Sequence, residues 1–137
     1  MSRRSDILET PVMTMIFGAL DAVNGGFEYE DMFRYLKSGL AGLTADQCDR
    51  LENYVLAWDI HGSMWLRDVD WTANPDGYGA RWSEGRKAAL AKINELRKRV
   101  AGPLGMLSDG LKAAETAVDK VRALYAFLEE LNLQKQL

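Results

Sequence analysis

Apolar residues in this chain recur every three or four positions almost from end to end, and no stretch alternates apolar with polar. That period places them on one face of a helix, where side chains advance about 100° per residue. A strand would show alternation over several residues, and no strand signal of any length occurs. The one interruption is Asp59 to Trp82, where the period disappears and Trp65, Trp71, Tyr78 and Trp82 gather. The predicted fold is therefore all-α: a bundle of five or six helices with one long aromatic-rich loop.

Local signals divide the chain. Thr10-Pro11 supplies a capping hydroxyl followed by a proline at a position where the missing donor costs nothing. The helix it opens should run to Asn24, stop at Gly25-Gly26 and lie centrally, because apolar residues occupy nearly all its faces. Tyr29, Met32, Phe33, Leu36 and Leu40 mark a second helix, with Gly39 and Gly42 at its exit. Thr44-Ala45-Asp46-Gln47 has the form of a capping box, and opens a helix carrying Cys48, Leu51, Tyr54, Val55 and Trp58 inward.

A long helix should begin near Ser83 or Glu84, with Leu90, Ile93, Leu96, Leu104 and Leu107 as its core stripe. Gly102-Pro103 should break or kink it. The last helix starts near Thr116, its buried face being Val118, Val121, Leu124, Tyr125, Leu128 and Leu131. Within the aperiodic stretch, Asn74-Pro75-Asp76-Gly77 signals a turn. An unstructured connection this long is unusual inside a compact domain, so the four aromatics should pin an ordered loop.

With 137 residues, 47% hydrophobic and 27% charged, the chain is expected to form one soluble globular domain, residues 1–137. The most apolar stretch, Val12 to Val23, is broken by Thr14, Gly18 and Asp21 and is too short to span a membrane. No signal-peptide pattern follows the basic start, so a cytoplasmic location is expected. A single cysteine, Cys48, excludes an internal disulfide, an iron–sulfur cluster and a multi-cysteine zinc site, and its register suits a buried thiol.

The net charge of −3 argues against tight, indiscriminate nucleic-acid binding by the chain as a whole. The charge is uneven, however: Arg81, Arg86, Lys87, Lys92, Arg97, Lys98 and Arg99 face only Glu84 and Glu95.

Catalytic motifs are absent. Lys37-Ser38-Gly39-Leu40 has the wrong order for a phosphate loop, so ATP hydrolysis is not expected. His61 is the only histidine, and reads as a hydrogen-bonding surface residue. Asp68, Asp70 and Asp76 match no calcium-loop spacing and read as solvated or turn-forming. No catalytic, cofactor or metal residue is assigned. The tryptophans either close the loop over the helices or, beside basic residues, stack on exposed bases.

Several stretches resemble the B subunit of AddAB-type ATP-dependent helicase–nucleases, which are related to the UvrD group. Phe27 to Leu40 is similar to that family's aromatic-rich helix ending in Leu-Lys-Thr-Gly-Leu, with Ser38 in place of the threonine. Leu51-Glu52-Asn53-Tyr54-Val55, followed by Gly62 and Trp65, is the most specific block. Asp59 stands where the family usually has glycine. Arg3 to Pro11 looks like the exit from a strand of the second RecA-like half.

The resemblance implies a helical insertion of that half, similar to a helicase 2B subdomain, excised from a longer protein. Such a protein uses ATP, magnesium and a 4Fe-4S cluster held elsewhere, pairs with an A subunit, and serves double-strand break repair by recombination. The implied role is non-catalytic contact with duplex DNA or neighbouring domains of the parent chain. Arg86, Lys87, Lys92, Arg97 and Lys98 are the expected phosphate contacts. The competing expectation is a protein–protein docking module that never touches DNA.

Overall fold

In the computed structural model, residues 10–131 are described. Of the strand exit that the resemblance places at Arg3 to Pro11, residues 3–9 lie outside them. Among the described residues there are five α-helices and no strand: α1 Pro11–Asn24, α2 Tyr29–Leu36, α3 Ala45–Trp58, α4 Glu84–Ala113 and α5 Ala117–Glu130. A short 3-10 helix, Gly62–Trp65, lies in the long loop between α3 and α4.

The helix starts follow from local chemistry. The Thr10 hydroxyl accepts from the Met13 amide with Pro11 in the first turn, and the Ser83 hydroxyl accepts from the Arg86 amide. Thr44 and Gln47 complete a reciprocal capping box at α3, as Thr116 and Asp119 do at α5. Each such cap satisfies amides that the first helical turn leaves without a partner, worth about 1 kcal/mol.

Two pairs, α1 with α2 and α4 with α5, make the most extensive contacts, and α4 also touches α1 and α3. The core is one cluster in which Met15, Tyr35, Leu36, Leu51, Leu96, Leu104 and Phe127 are fully buried. Helix α1 is less central than its composition suggests. Met15, Gly18, Ala19 and Ala22 face inward, while Phe17 is 40% exposed. Gly18 sets its distance from α2, because a Cβ there would lie 2.8 Å from the Tyr35 backbone nitrogen.

Pro103 does not interrupt α4, which runs 30 residues through it. The expected break or kink came from the lost backbone bond and from the clash of the proline ring with the preceding turn; the ring also restricts the residue before it. Gly102 has no Cβ to meet that ring. Val100, Leu104 and Leu107 are all at most 1% exposed. At about 1.5–3 kcal/mol for each buried side chain, these three outweigh the roughly 3 kcal/mol a mid-helix proline costs.

The buried face of α5 also differs from expectation. Phe127 is fully buried and packs at 6.0 Å from Tyr35, whereas Val118, Val121 and Tyr125 are 58%, 59% and 62% exposed. Helical periodicity shows which residues share a face, but not which of two neighbouring faces meets the core. Val118, Val121 and Tyr125 thus each keep more than half of their surface open.

At the end of α3, Asp59 adopts a left-handed conformation, φ 49°, and its amide donates to the Val55 carbonyl. The turn that glycine would make is thus made by a residue that bears backbone strain in doing so.

Candidate nucleic-acid interface

The expected contact residues lie on the first half of α4, against the loop from Asp59 to Trp82. The loop is ordered by a defined set of bonds. Trp71 stacks on Tyr54 with centroids 5.4 Å apart and meets Trp65 edge-on at the same distance. Pairs of this kind contribute about 0.5–1.5 kcal/mol beyond the area they bury. Indole nitrogens bind loop carbonyls: Trp71 Nε1 donates to Met64 at 3.0 Å and Trp58 Nε1 to Asn74 at 2.9 Å. The Asn74 amide in turn donates to the carbonyls of Ala80 and Arg81, and its oxygen accepts from the Asp76 amide.

Two residues of the pinning group expected from the sequence do not pin. Tyr78 is 96% exposed and Trp82 48% exposed, while Trp65 and Trp71 are buried.

Helix α4 supplies two polar side chains that hold the loop, and sequence reasoning assigned neither that task. Asn94 accepts from the Trp71 amide at 2.8 Å and donates to the Trp71 carbonyl at 2.9 Å. Arg97 donates from Nε to the Trp65 carbonyl at 3.1 Å and from Nη2 to the Arg67 carbonyl, with its guanidinium 5.5 Å from the Trp71 ring centre. The one sequence signal was register: both fall between Leu90 and Val100 on the stripe that turns inward.

Arg97 is only 3% exposed. In this arrangement it cannot reach an external phosphate, so its expected DNA contact gives way to a structural one.

The other four expected contacts stay nearer the surface but are not unpartnered. Arg86 donates to Asp76 at 2.5 Å and to the Arg81 carbonyl at 2.7 Å, another tie between helix and loop. Lys98 pairs with Asp70 at 3.2 Å, Lys87 with Glu84 at 3.6 Å and Lys92 with Glu95 at 3.7 Å. Lys87, Lys92 and Lys98 have more than half of their side-chain surface open. Pairs this exposed contribute at most about 1 kcal/mol, so a phosphate can compete for these ammonium groups. Asp70 and Asp76 thus serve as loop partners for cations of α4, and His61 is exposed with Nδ1 2.8 Å from the nearby Asp59 carbonyl.

Cys48 is buried and donates from Sγ to the Leu36 carbonyl at 3.1 Å, and burial pushes its thiol pKa up. Among the described residues no three His, Cys, Asp or Glu side chains converge on one point. No helix among them is long and apolar enough to cross a membrane.

One surface cluster straps α2 to α3. Glu52 accepts from the Tyr29 hydroxyl at 2.6 Å and from the Lys37 ammonium at 2.8 Å. Those bonds, Lys37's first, hold the Glu52 carboxyl below its ordinary pKa. The same bond to Glu52 raises the pKa of Tyr29 and of Lys37.

No family model matches the chain. Curated proteins do. The B subunit of an ATP-dependent helicase/deoxyribonuclease from Acetivibrio thermocellus is 36% identical over 138 residues, covering 100% of this chain and 12% of the relative. The corresponding protein of Clostridium botulinum strain Loch Maree is 35% identical over 133 residues, covering 97% and 12%. That of Clostridioides difficile strain 630 is 34% identical, with coverage of 97% and 12%. The chain is an AddB-type sequence.

It spans 12% of the length of these relatives. In this AddB-type stretch the residues that carry the resemblance have clear structural roles. Leu51, Tyr54 and Val55 are core residues, Tyr54 carries Trp71, and Trp65 is the most deeply buried ring of the loop. The motifs behind the likeness are therefore packing motifs.

Proposed function

We propose that this chain is a non-catalytic helical element of the B subunit of a helicase/deoxyribonuclease, serving DNA end processing and recombinational repair by contact with neighbouring domains and with duplex DNA. The relatives' shared name supports the setting, and in that setting the partner is an A subunit. ATP, magnesium and cluster chemistry would belong to other parts of such a protein.

The observation that carries the reading is the exposed stripe on α5. Val118, Val121 and Tyr125 lie at helical spacing on the side away from the buried Phe127. Apolar side chains in register on a helix are commonly covered in the assembled protein. The parent's own domains, or its A subunit, are the natural cover.

Contact with duplex DNA falls to Lys87, Lys92 and Lys98, the three expected cations whose ammonium groups remain open, while Arg86 and Arg97 hold the loop they would present. This retains a smaller phosphate-binding face than the sequence suggested.

The test uses the full-length parent with its A subunit. Val121→Glu with Tyr125→Glu should speed proteolytic release of the helical element and weaken assembly, and should leave the thermal midpoint of the 137-residue chain nearly unchanged. Wild-type assembly and proteolysis would overturn the docking role. Charge reversal at Lys87, Lys92 and Lys98 should reduce the salt slope of duplex binding by about 1 for each phosphate no longer neutralised. An unchanged slope would overturn the DNA role.

A further inference from the structure

The exposed stripe on α5 borders a trough of about 360 Å³ between α5, α1 and α4, lined by Leu20, Asn24, Leu111, Lys120, Val121 and Leu124. Its walls are aliphatic apart from the side chains of Asn24 and Lys120. Such a hollow suits one aromatic ring that ends in a hydroxyl, an apolar body with a polar tip. The chain presents that group itself: Tyr125 is 62% exposed, one turn along the helix from Val121.

Charge adds a second match. Counting 100° per residue from Val118, Tyr125 and Val121 fall about 20° and 60° to one side of the helix, and Glu129 and Arg122 about 20° and 40° to the other. The trough adjoins the Val121 side, so the two charges form the opposite flank of the stripe. Among the described residues neither Arg122 nor Glu129 has an ion-pair partner.

Two copies of α5 laid antiparallel about a two-fold axis set each flank against itself. With the axis midway between Val121 and Tyr125, Val121 of one copy faces Tyr125 of the other. Arg122 of one copy and Glu129 of the other then slant toward each other, because helical side chains lean toward their own N-terminus. Symmetry makes each contact twice. We infer that the 137-residue chain pairs with a second copy of itself through antiparallel α5 helices, each Tyr125 seated in the other copy's trough and each Arg122 paired with the other copy's Glu129. The pairing is weak and reversible. Helix α5 has 14 residues, which gives a length of about 21 Å, and one helix pair of that length buries less than the roughly 1,200 Å² of a stable interface.

This inference rests on the reading that the outer face of α5 is covered, and it assigns the cover to a second copy. Sedimentation velocity of the 137-residue chain is measured from about 10 µM to about 1 mM, the range of a weak interface. The sedimentation coefficient should rise with concentration. Tyr125→Ala should abolish the rise, and Tyr125→Phe should keep most of it. Arg122→Glu or Glu129→Arg alone turns two attractive pairs repulsive and should weaken association about 5- to 30-fold. Both changes in one chain should restore it. A chain that stays monomeric throughout, or a charge swap that fails to restore pairing, overturns the inference. Neither result touches the reading beneath it, which fails only if the parent carrying Val121→Glu and Tyr125→Glu assembles with its A subunit and resists protease as the wild type does.

Discussion

Replacing glycine by alanine inside a helix should stabilise this chain at one position and destabilise it at two others, although the helical preference gained is the same. That preference is worth about 1 kcal/mol per site. At Gly105 of α4, the new Cβ would meet only the Leu66 Cδ2 atom at 3.8 Å, an ordinary contact. At Gly18 of α1, it would lie 2.8 Å from the Tyr35 backbone nitrogen and 3.0 Å from its Cα. Backbone atoms cannot rotate away, so α1 and α2 must separate. At Gly110, the obstacle is the Ala123 Cβ at 2.8 Å, and alanine has no rotamer to change.

Overpacking of this sort costs about 1–3 kcal/mol beyond the preference gained. For a domain of this size each kcal/mol moves the thermal midpoint by about 3–4 °C. Gly105→Ala should therefore melt a few degrees higher, and Gly18→Ala and Gly110→Ala about 3–10 °C lower. Thermal melts with urea titrations on the same samples would show it. If Gly18→Ala melts as high as Gly105→Ala, the close approach of α1 to α2 is wrong.

Arg97→Met should cost about 2–4 kcal/mol, since it strands the carbonyls of Trp65 and Arg67 and removes the cation from Trp71; urea denaturation gives the value, and a neutral result would show that the guanidinium does not hold the loop. Asp59→Gly should raise stability by about 0.5–1 kcal/mol by relieving the left-handed strain, read as a higher thermal midpoint. Glu52, whose folded-state carboxyl pKa is lowered, contributes stability that is present above its unfolded value and is lost as pH falls through the folded one. Glu52→Gln should thus narrow the stability gap between about pH 7 and about pH 3, by less than about 1 kcal/mol in paired urea titrations.

Helix boundaries were legible because caps are local. Thr10, Thr44, Ser83 and Thr116 each bond an amide three residues on, so a short window of sequence contains the whole interaction. Pro103 misled because its cost is local while its compensation is not: Val100, Leu104 and Leu107 are buried by other elements. The same holds for the candidate interface. Seven cations in a window look alike in a sequence, but Arg97 is bound to carbonyls 30 and 32 residues away. The aromatic loop was recognisable as ordered. Which rings it buries depends on Asn94 and Arg97 approaching from α4, and no spacing rule encodes that approach.

The Asn94 side chain exchanges two hydrogen bonds with the backbone of Trp71, much as one strand residue does with its antiparallel neighbour. Arg97 sits one turn along on the same side and grips the loop again at Trp65 and Arg67. The azimuth of α4 and the path of the loop are thus a single mechanical coordinate. Rolling the helix by one residue would swing both side chains about 100° away and release the loop at three points together. Because α5 rides on α4, a load applied to the outer face of α5 would reach the loop as torque on that shared axle.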